Sequence, residues 1–195
     1  MSKDCMNEKI RCSWAGNIPI YIDYHDNEWG RPVHDDVKLF EMLILEGMQA
    51  GLAWITVLNK REAFRQAFDG FDPNKVAVYG DEKIQELMAN EKIIRNRLKI
   101  NAAVGNAKAF LQIVKEYGSF DKFIWAYVDN APITGHWEKM EDLPAKTPLS
   151  DKISKDLKKM GFNFVGSTII YSFLQAIGMV NDHVTGCFVY QEIMR

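Results

Sequence analysis

The sequence predicts an all-α fold. Apolar residues recur at helical spacing over most of the chain, helix start and stop residues bracket those stretches, and alternating strand patterns are scarce. Asp35 and Asp36 can cap a helix running through Leu39, Phe40, Leu43 and Leu45 to about Ala50, where Gly51 breaks it. A second helix is predicted from about Ala53 to Phe68, with Trp54, Val57, Leu58, Phe64 and Phe68 at helical spacing. Asp72 followed by Pro73 reads as a cap and a first-turn proline opening a short helix over Pro73–Val78, and another follows over Asp81–Ala89. Arg97 to Tyr117 is a long amphipathic helix closed by Gly118. Phe120–Val128 reads as a short apolar helix, and Ala131 to Pro148, with three prolines, as the one long loop. Ser150–Met160 is a lysine-bearing amphipathic helix ended by Gly161, and Val165–Met179 a nearly fully buried one. No repeat and no linker-like break interrupts the chain, so residues 1–195 read as one unit of two helical lobes around a cleft, with the termini on one side.

Composition excludes several classes. With 195 residues, 47% hydrophobic and 26% charged, the chain can bury a core, which rules out disordered and low-complexity proteins. The net charge is −2, so a nucleic-acid partner would be held by a local patch rather than a global basic field. Three cysteines cannot make a disulfide framework, and an odd count points to a reducing compartment, the cytoplasm. Met1–Arg11 is polar, without the apolar region of a secretory signal. Phe162–Val180 is broken by Asn163, Gly166, Ser172 and Gln175, too polar for a membrane span. The expectation is a monomer with no membrane partner.

Three groups of residues carry chemistry. Cys12 and His25 near the start, and His183 and Cys187 near the end, make a full Cys2His2 zinc set of soft thiolate and imidazole donors. With four protein ligands the ion would have no open position, so its role would be to fasten the two ends. Spacing alone equally allows two unrelated buried cysteines and two satisfied histidines. His34, His136 and Cys5 have no evident partners in the sequence.

Between Ile20 and Ala50 there are seven acids and two lysine or arginine residues, interleaved with Tyr21, Tyr24 and Trp29 and flanked by Trp14 and Trp54. Aromatics inside polar runs such as YIDYHDNEWG suit a stacking pocket for a planar ligand, with a carboxylate for its edge. Glu46 shares a helix face with Leu39, Leu43 and Ala50, where a carboxylate is costly unless paired or functional; otherwise it is a helix-end residue turned to solvent. From Asn90 to Lys108 five bases (Lys92, Arg95, Arg97, Lys99, Lys108) meet one acid, either a phosphate-holding turn or a solvated face; Lys155, Lys158 and Lys159 form a second small patch.

These pieces resemble the 3-methyladenine DNA glycosylase I (Tag) family. The matching segments are RCSW at Arg11–Trp14, YIDYHDNEWG at Tyr21–Gly30, the run Leu39–Phe68, Ile93–Leu111, WAYV at Trp125–Val128 and Lys158–Cys187. The resemblance implies a helix-hairpin-helix glycosylase fold and hydrolysis of the N-glycosidic bond of 3-methyladenine in double-stranded alkylated DNA, with free 3-methyladenine as product. It implies a structural zinc on Cys12, His25, His183 and Cys187. It implies a base pocket with Glu46 as its acid, the one candidate catalytic residue, and Tyr21, Tyr24, Trp29, Trp54 and Trp14 as its aromatics. The turn Met48–Leu52, with Gln49, Gly51 and Leu52, resembles the part that enters the DNA, and Ile93–Lys99 the hairpin; Lys92, Arg95, Arg97 and Lys99 are then DNA contacts. Ala53 stands where the family commonly has Ser, and Met48 where it has Gln. No lysine falls beside the aromatics, so the enzyme is expected to be monofunctional. The competing readings are a zinc-fastened DNA-binding module, which needs no buried Glu46, and a metal hydrolase, which needs an open zinc position.

Overall fold

The computed structural model describes residues 9–194. Cys5 and the first eight residues lie outside that range. The described residues are mostly helical, as expected. In chain order the helices are α1 (Pro19–Asn27), α2 (Asp36–Gln49), α3 (Trp54–Leu58), α4 (Arg61–Ala67), α5 (Pro73–Val76), α6 (Asp81–Ala89), α7 (Arg97–Tyr117), α8 (Phe120–Trp125), α9 (Pro148–Lys159), α10 (Ser167–Ala176) and α11 (Phe188–Ile193). One two-residue parallel pairing joins β1 (Ile133–Thr134) to β2 (Val180–Asn181).

The organising element is α2. The Asp35 side chain accepts from Lys38 N at its start, and every residue from Leu39 to Met48 is buried. It packs against α3, α7, α8 and α10. A helix buried all round reads as a continuous apolar run, and one acid within such a run must be paired or functional. At Glu41 the answer is pairing. Arg61 Nε donates to Glu41 Oε1 at 2.6 Å, Arg65 reaches the same oxygen at 2.9 Å, and Arg61 also holds Glu28 at 2.9 Å. This network ties α4 to α2 and to the end of α1.

Several boundaries depart from the sequence reading. The predicted helix Ala53–Phe68 is two helices, α3 and α4, separated at Asn59 and Lys60; the β-branched run Ile55-Thr56-Val57 weakens helix continuation there. Pro73–Val78 stops at Val76, Phe120–Val128 continues past Trp125 as a 3-10 turn (Ala126–Val128), and Val165–Met179 is helical only over Ser167–Ala176. Ser150–Met160 begins earlier, at Pro148, because Thr147 and Ser150 form a reciprocal capping box. The long loop carries β1 and a 3-10 turn at Met140–Asp142. A helix, α1, starts at Pro19 and runs through the first seven residues of YIDYHDNEWG, announced only by that proline at its first position.

His34 and His136 do have partners. His34 Nδ1 lies 2.7 Å from Asp121 Oδ1 and its ring packs on Trp125; His136 Nδ1 lies 2.8 Å from the Tyr190 hydroxyl. No helix among the described residues is long and apolar enough to cross a membrane.

Candidate base pocket and metal centre

The sequence-predicted aromatics converge. Trp14, Tyr21, Tyr24, Trp29 and Trp54 line one cavity of about 270 Å³ together with Glu46 and Gln49. Tyr21 and Tyr24 sit one turn apart on α1, so both face the same side. Trp14 meets Tyr21 edge-on at 5.7 Å and Trp29 at 5.1 Å, and Tyr24 packs against Trp54 at 5.5 Å. The geometry leaves flat faces for a planar ligand. The Trp54 indole Nε1 is buried without an acceptor among the described residues.

Glu46 is 4% exposed, and no donor of the described residues hydrogen-bonds its carboxyl. The solvent-facing reading of this residue is therefore out. Burial alone pushes its pKa up to about 8, so in the empty pocket at neutral pH it is largely protonated. Tyr24 beside it is raised further by burial and by Glu46, and stays a hydroxyl donor.

The other six acids of the segment do not face this cavity. Asp23 accepts from Asn27, Asp26 from Arg11, Glu28 from Lys38 and Arg61, and Glu41 from Arg61 and Arg65. Asp35 caps α2, and Asp36 accepts from the backbone of Phe120 and Asp121. The acidic excess is structural apart from Glu46.

Tyr21 has a second task. Ala53 is the N-cap of α3 and offers no side-chain acceptor; the Tyr21 hydroxyl accepts from Ile55 N at 3.0 Å instead. The pocket tyrosine thus holds the helix that presents Trp54. With the Ile55 N–H taken by Tyr21 and the Thr56 N–H by Ala53 O, the capping role is already filled, so Ala53→Ser should change stability by less than about 0.5 kcal/mol. Thermal unfolding should accordingly shift by no more than about 2 °C.

The four zinc candidates are together and buried. One donor atom from each of Cys12, His25, His183 and Cys187 lies within 4.8 Å of all the others. Cys12 Sγ is 3.5 Å from His183 Nδ1, Cys187 Sγ is 3.5 Å from His25 Nε2 and 3.6 Å from His183 Nδ1. A tetrahedral ion with bonds of about 2.3 Å to sulfur and about 2.0–2.1 Å to nitrogen requires about 3.6 Å between such donors. The outward nitrogens are held as well. His25 Nδ1 pairs with Asp26 Oδ1 at 2.7 Å, and His183 Nε2 with Trp29 O at 2.9 Å, which fixes each ring to present its other nitrogen to the cluster. The residues fit a metal ion. The cluster also braces the pocket: Trp29 packs on His183 at 4.6 Å and Trp14 on His25 at 5.3 Å. Gly30 is required here, since its φ is +79° and a Cβ would lie 2.8 Å from His183 Nε2.

The predicted DNA contacts divide. Gln49 lines the pocket mouth, Gly51 has φ +79°, and Leu52 is 40% exposed at the tip of the α2–α3 turn. Lys92, Arg95 and Arg97 are exposed on the α6–α7 connection. Lys99 is not. It is 8% exposed, and its ammonium donates to Met48 O at 2.9 Å and Ala50 O at 2.6 Å. Lys99 closes the carbonyl end of α2 and anchors the turn that carries Leu52, so its expected role as a phosphate contact is corrected. Met48, the other departure from the family pattern, is buried in the core, 1% exposed.

Sequence reasoning missed four pocket residues. Ser172 and Gln175 sit one turn apart on α10, and Met140 and Leu143 come from the long loop. The i, i+3 polar pair inside an otherwise apolar helix was the available signal.

A helical shell around a stacking slot with a buried carboxyl in its lining defines a protein that receives a flat ring with a polar edge. The family profile described as methyladenine glycosylase matches residues 14–190. DNA-3-methyladenine glycosylase 1 of Escherichia coli (strain K12) is 52% identical over 180 residues, 92% of this chain and 96% of that relative. A crystal structure of 3-methyladenine DNA glycosylase I superposes with a TM-score of 0.89 at 51% identity, covering 92% of this chain and 98% of that one. A second, of a variant of 3-methyladenine DNA glycosylase I in complex with 3-methyladenine, has a TM-score of 0.89 at 39% identity and covers 91% and 96%. The chain belongs to the methyladenine glycosylase family.

Proposed function

We propose that this protein is a monofunctional DNA glycosylase that releases 3-methyladenine from alkylated double-stranded DNA, acts as a single monomeric unit, and holds a structural zinc on Cys12, His25, His183 and Cys187. The observation that carries the reading is Glu46, a buried carboxyl without a hydrogen-bond partner among the described residues, set among Tyr21, Tyr24, Trp29, Trp54 and Trp14. The cavity is a recess whose floor holds the buried Glu46, so a base must leave the stack to reach it. The exposed turn at Gly51 and Leu52 can fill the gap left behind.

An adenine methylated at N3 carries a formal positive charge. The bond between C1′ and the ring nitrogen breaks with its electron pair going to the base, which neutralises that charge. Water adds its oxygen to C1′ and gives its proton to solvent, so the leaving group needs little help. The protein's work is then selection. Stacking on electron-rich rings favours the cationic base over its neutral parent by about 0.5–2 kcal/mol per contact. Glu46 accepts from the adenine edge, and a base that cannot pair with it leaves a buried polar group unsatisfied. No lysine lines the cavity among the described residues, which supports hydrolysis without a Schiff base and strand cleavage. Zinc, when bound, supplies structural cross-linking and no open position.

Lys92, Arg95 and Arg97 are the proposed phosphate contacts of the α6–α7 connection. The α9–α10 connection supports a second. Gly161 turns it with φ +94°, the start of α10 has no side-chain cap, and Lys155, Lys158 and Lys159 line the adjoining cleft. By contrast, the start of α7 is already capped by Asn96. The unbridged thiols of Cys12 and Cys187 suit a reducing cytoplasm.

The test is release of free base from methylated duplex DNA. The wild type should release 3-methyladenine and leave ordinary adenine in place, and Trp54→Ala should lose at least about tenfold in kcat/KM through lost stacking. No release by the wild type rejects the assignment.

A further inference from the structure

Asp182 is 1% exposed and gathers three donors from three places. Trp137 Nε1 donates to its Oδ1 at 2.7 Å, Gln175 Nε2 to its Oδ2 at 2.8 Å, and the Tyr171 hydroxyl to the same Oδ2. A carboxylate only accepts, so Gln175 must present its NH2 to Asp182. The amide's other end, Oε1, has no donor among the described residues, and Gln175 lines the base cavity. The strap that brings Trp137 is itself fixed. Gly135 N donates to Asn181 O at 2.9 Å and Thr185 N to Trp137 O at 2.8 Å. A Cβ at Gly135 would lie 2.6 Å from Asp182 Oδ1 and closer still to Trp137 Nε1, so the junction admits only glycine. The same strap leads to Met140 and Leu143 on the cavity wall.

We propose that Asp182 is a positioning residue that turns the Gln175 amide so its carbonyl oxygen faces the cavity, making Gln175 a specificity-determining acceptor for the six-amino group of the bound purine. The inference rests on the proposed function and deepens it. Adenine carries an N–H donor pair at its six-position and guanine an oxygen acceptor there. Glu46 takes one N–H and Gln175 the other; a six-oxo purine meets an oxygen lone pair at Gln175 and is disfavoured.

Trp137 makes the claim testable. Its indole N–H only donates, so in Asp182→Asn the new amide keeps its oxygen on Trp137 and points its NH2 at Gln175. Gln175 then turns over and offers its own NH2 to the cavity. Binding of free 3-methyladenine and free 3-methylguanine, followed by tryptophan fluorescence, reads this directly. Gln175→Leu, which keeps the volume, should bind 3-methyladenine about three- to tenfold more weakly and discriminate less. Asp182→Asn should weaken 3-methyladenine and strengthen 3-methylguanine, shifting their affinity ratio about tenfold or more. A lost structural contact would weaken both ligands together and leave the ratio alone; that result overturns the proposal, as does an unchanged Gln175→Leu. A wild type that binds neither base and releases none from methylated DNA rejects the proposed function as well.

Discussion

Stripping the metal from the Cys12–His25–His183–Cys187 centre should lower the thermal unfolding temperature by about 10 °C or more, since structural zinc binding is folding free energy and each kcal/mol is worth about 2–4 °C in a chain this long. The four residues are at most 1% exposed, so an empty centre keeps two thiols and two imidazoles out of water without their common partner. Cys187→Ala should reproduce the loss. Differential scanning calorimetry with and without a strong chelator, alongside metal content by mass spectrometry, checks both. The pocket should loosen before the chain unfolds, because Trp14 and Trp29 lean on the two histidines; weaker 3-methyladenine binding at a temperature where helicity is intact would show it. A centre that binds zinc yet changes neither unfolding temperature nor ligand affinity would refute its structural role. The same pair of experiments separates this protein from a metal hydrolase, in which chelation removes activity and spares stability.

The second large effect is at Glu46. Glu46→Gln should bind free 3-methyladenine about 10- to 100-fold more weakly, because the proton Glu46 carries can pass to the bound base and leave a charged hydrogen bond that glutamine cannot make. If turnover at saturating DNA survives while binding is lost, Glu46 recognises the base and does no chemistry; a collapse of the single-turnover rate assigns it a catalytic role. Its protonation gives an independent signature. The folded-state pKa is raised to about 8 from the model-peptide range, so between roughly pH 4.5 and 8 the native state holds a proton that the unfolded chain has released. Stability from this group is complete below the unfolded pKa and is lost as pH rises through about 8. The slope is at most about 1.4 kcal/mol per pH unit over that window. Glutamine does not titrate. The wild type should therefore lose stability relative to Glu46→Gln between pH 5 and pH 8, read as a narrowing or reversal of their difference in unfolding temperature. A constant difference would mean that Glu46 is solvated in the empty pocket.

Most of the helical frame was legible because its signals are local. Asp35 before a buried run, Gly118 after a long amphipathic one, and Asp72-Pro73 are caps and stops that act within one turn, and the structure places helix ends at or near each. The helix α1 escaped because its residues answer to three environments at once: Tyr21 and Tyr24 to the pocket, His25 to the metal centre, and Asp23 and Asn27 to water. No single apolar stripe survives such a division. The pocket aromatics and Glu46 could be read from their chemical incongruity, aromatics in polar runs and an acid in an apolar one. Ser172 and Gln175 left one faint local signal, a polar pair one turn apart in α10, and Met140 and Leu143 left none, since each is ordinary where it stands and becomes part of the site only through the packing of the fold. Lys99 was misread for a related reason. A lysine among arginines looks like one more surface charge, and only the fold shows the α2 carbonyls waiting for it.

The separation along the chain of the four residues that could hold a metal ion has a consequence for biosynthesis. A nascent polypeptide that has emerged through residue 180 owns Cys12 and His25 but neither of the donors that complete the set. Trp29 therefore lacks the imidazole of His183 behind it until that segment has been made, and Trp14 leans on a His25 whose cluster partners are still missing, so the binding slot acquires its final shape only after residue 187 has emerged and folded back onto the first helix.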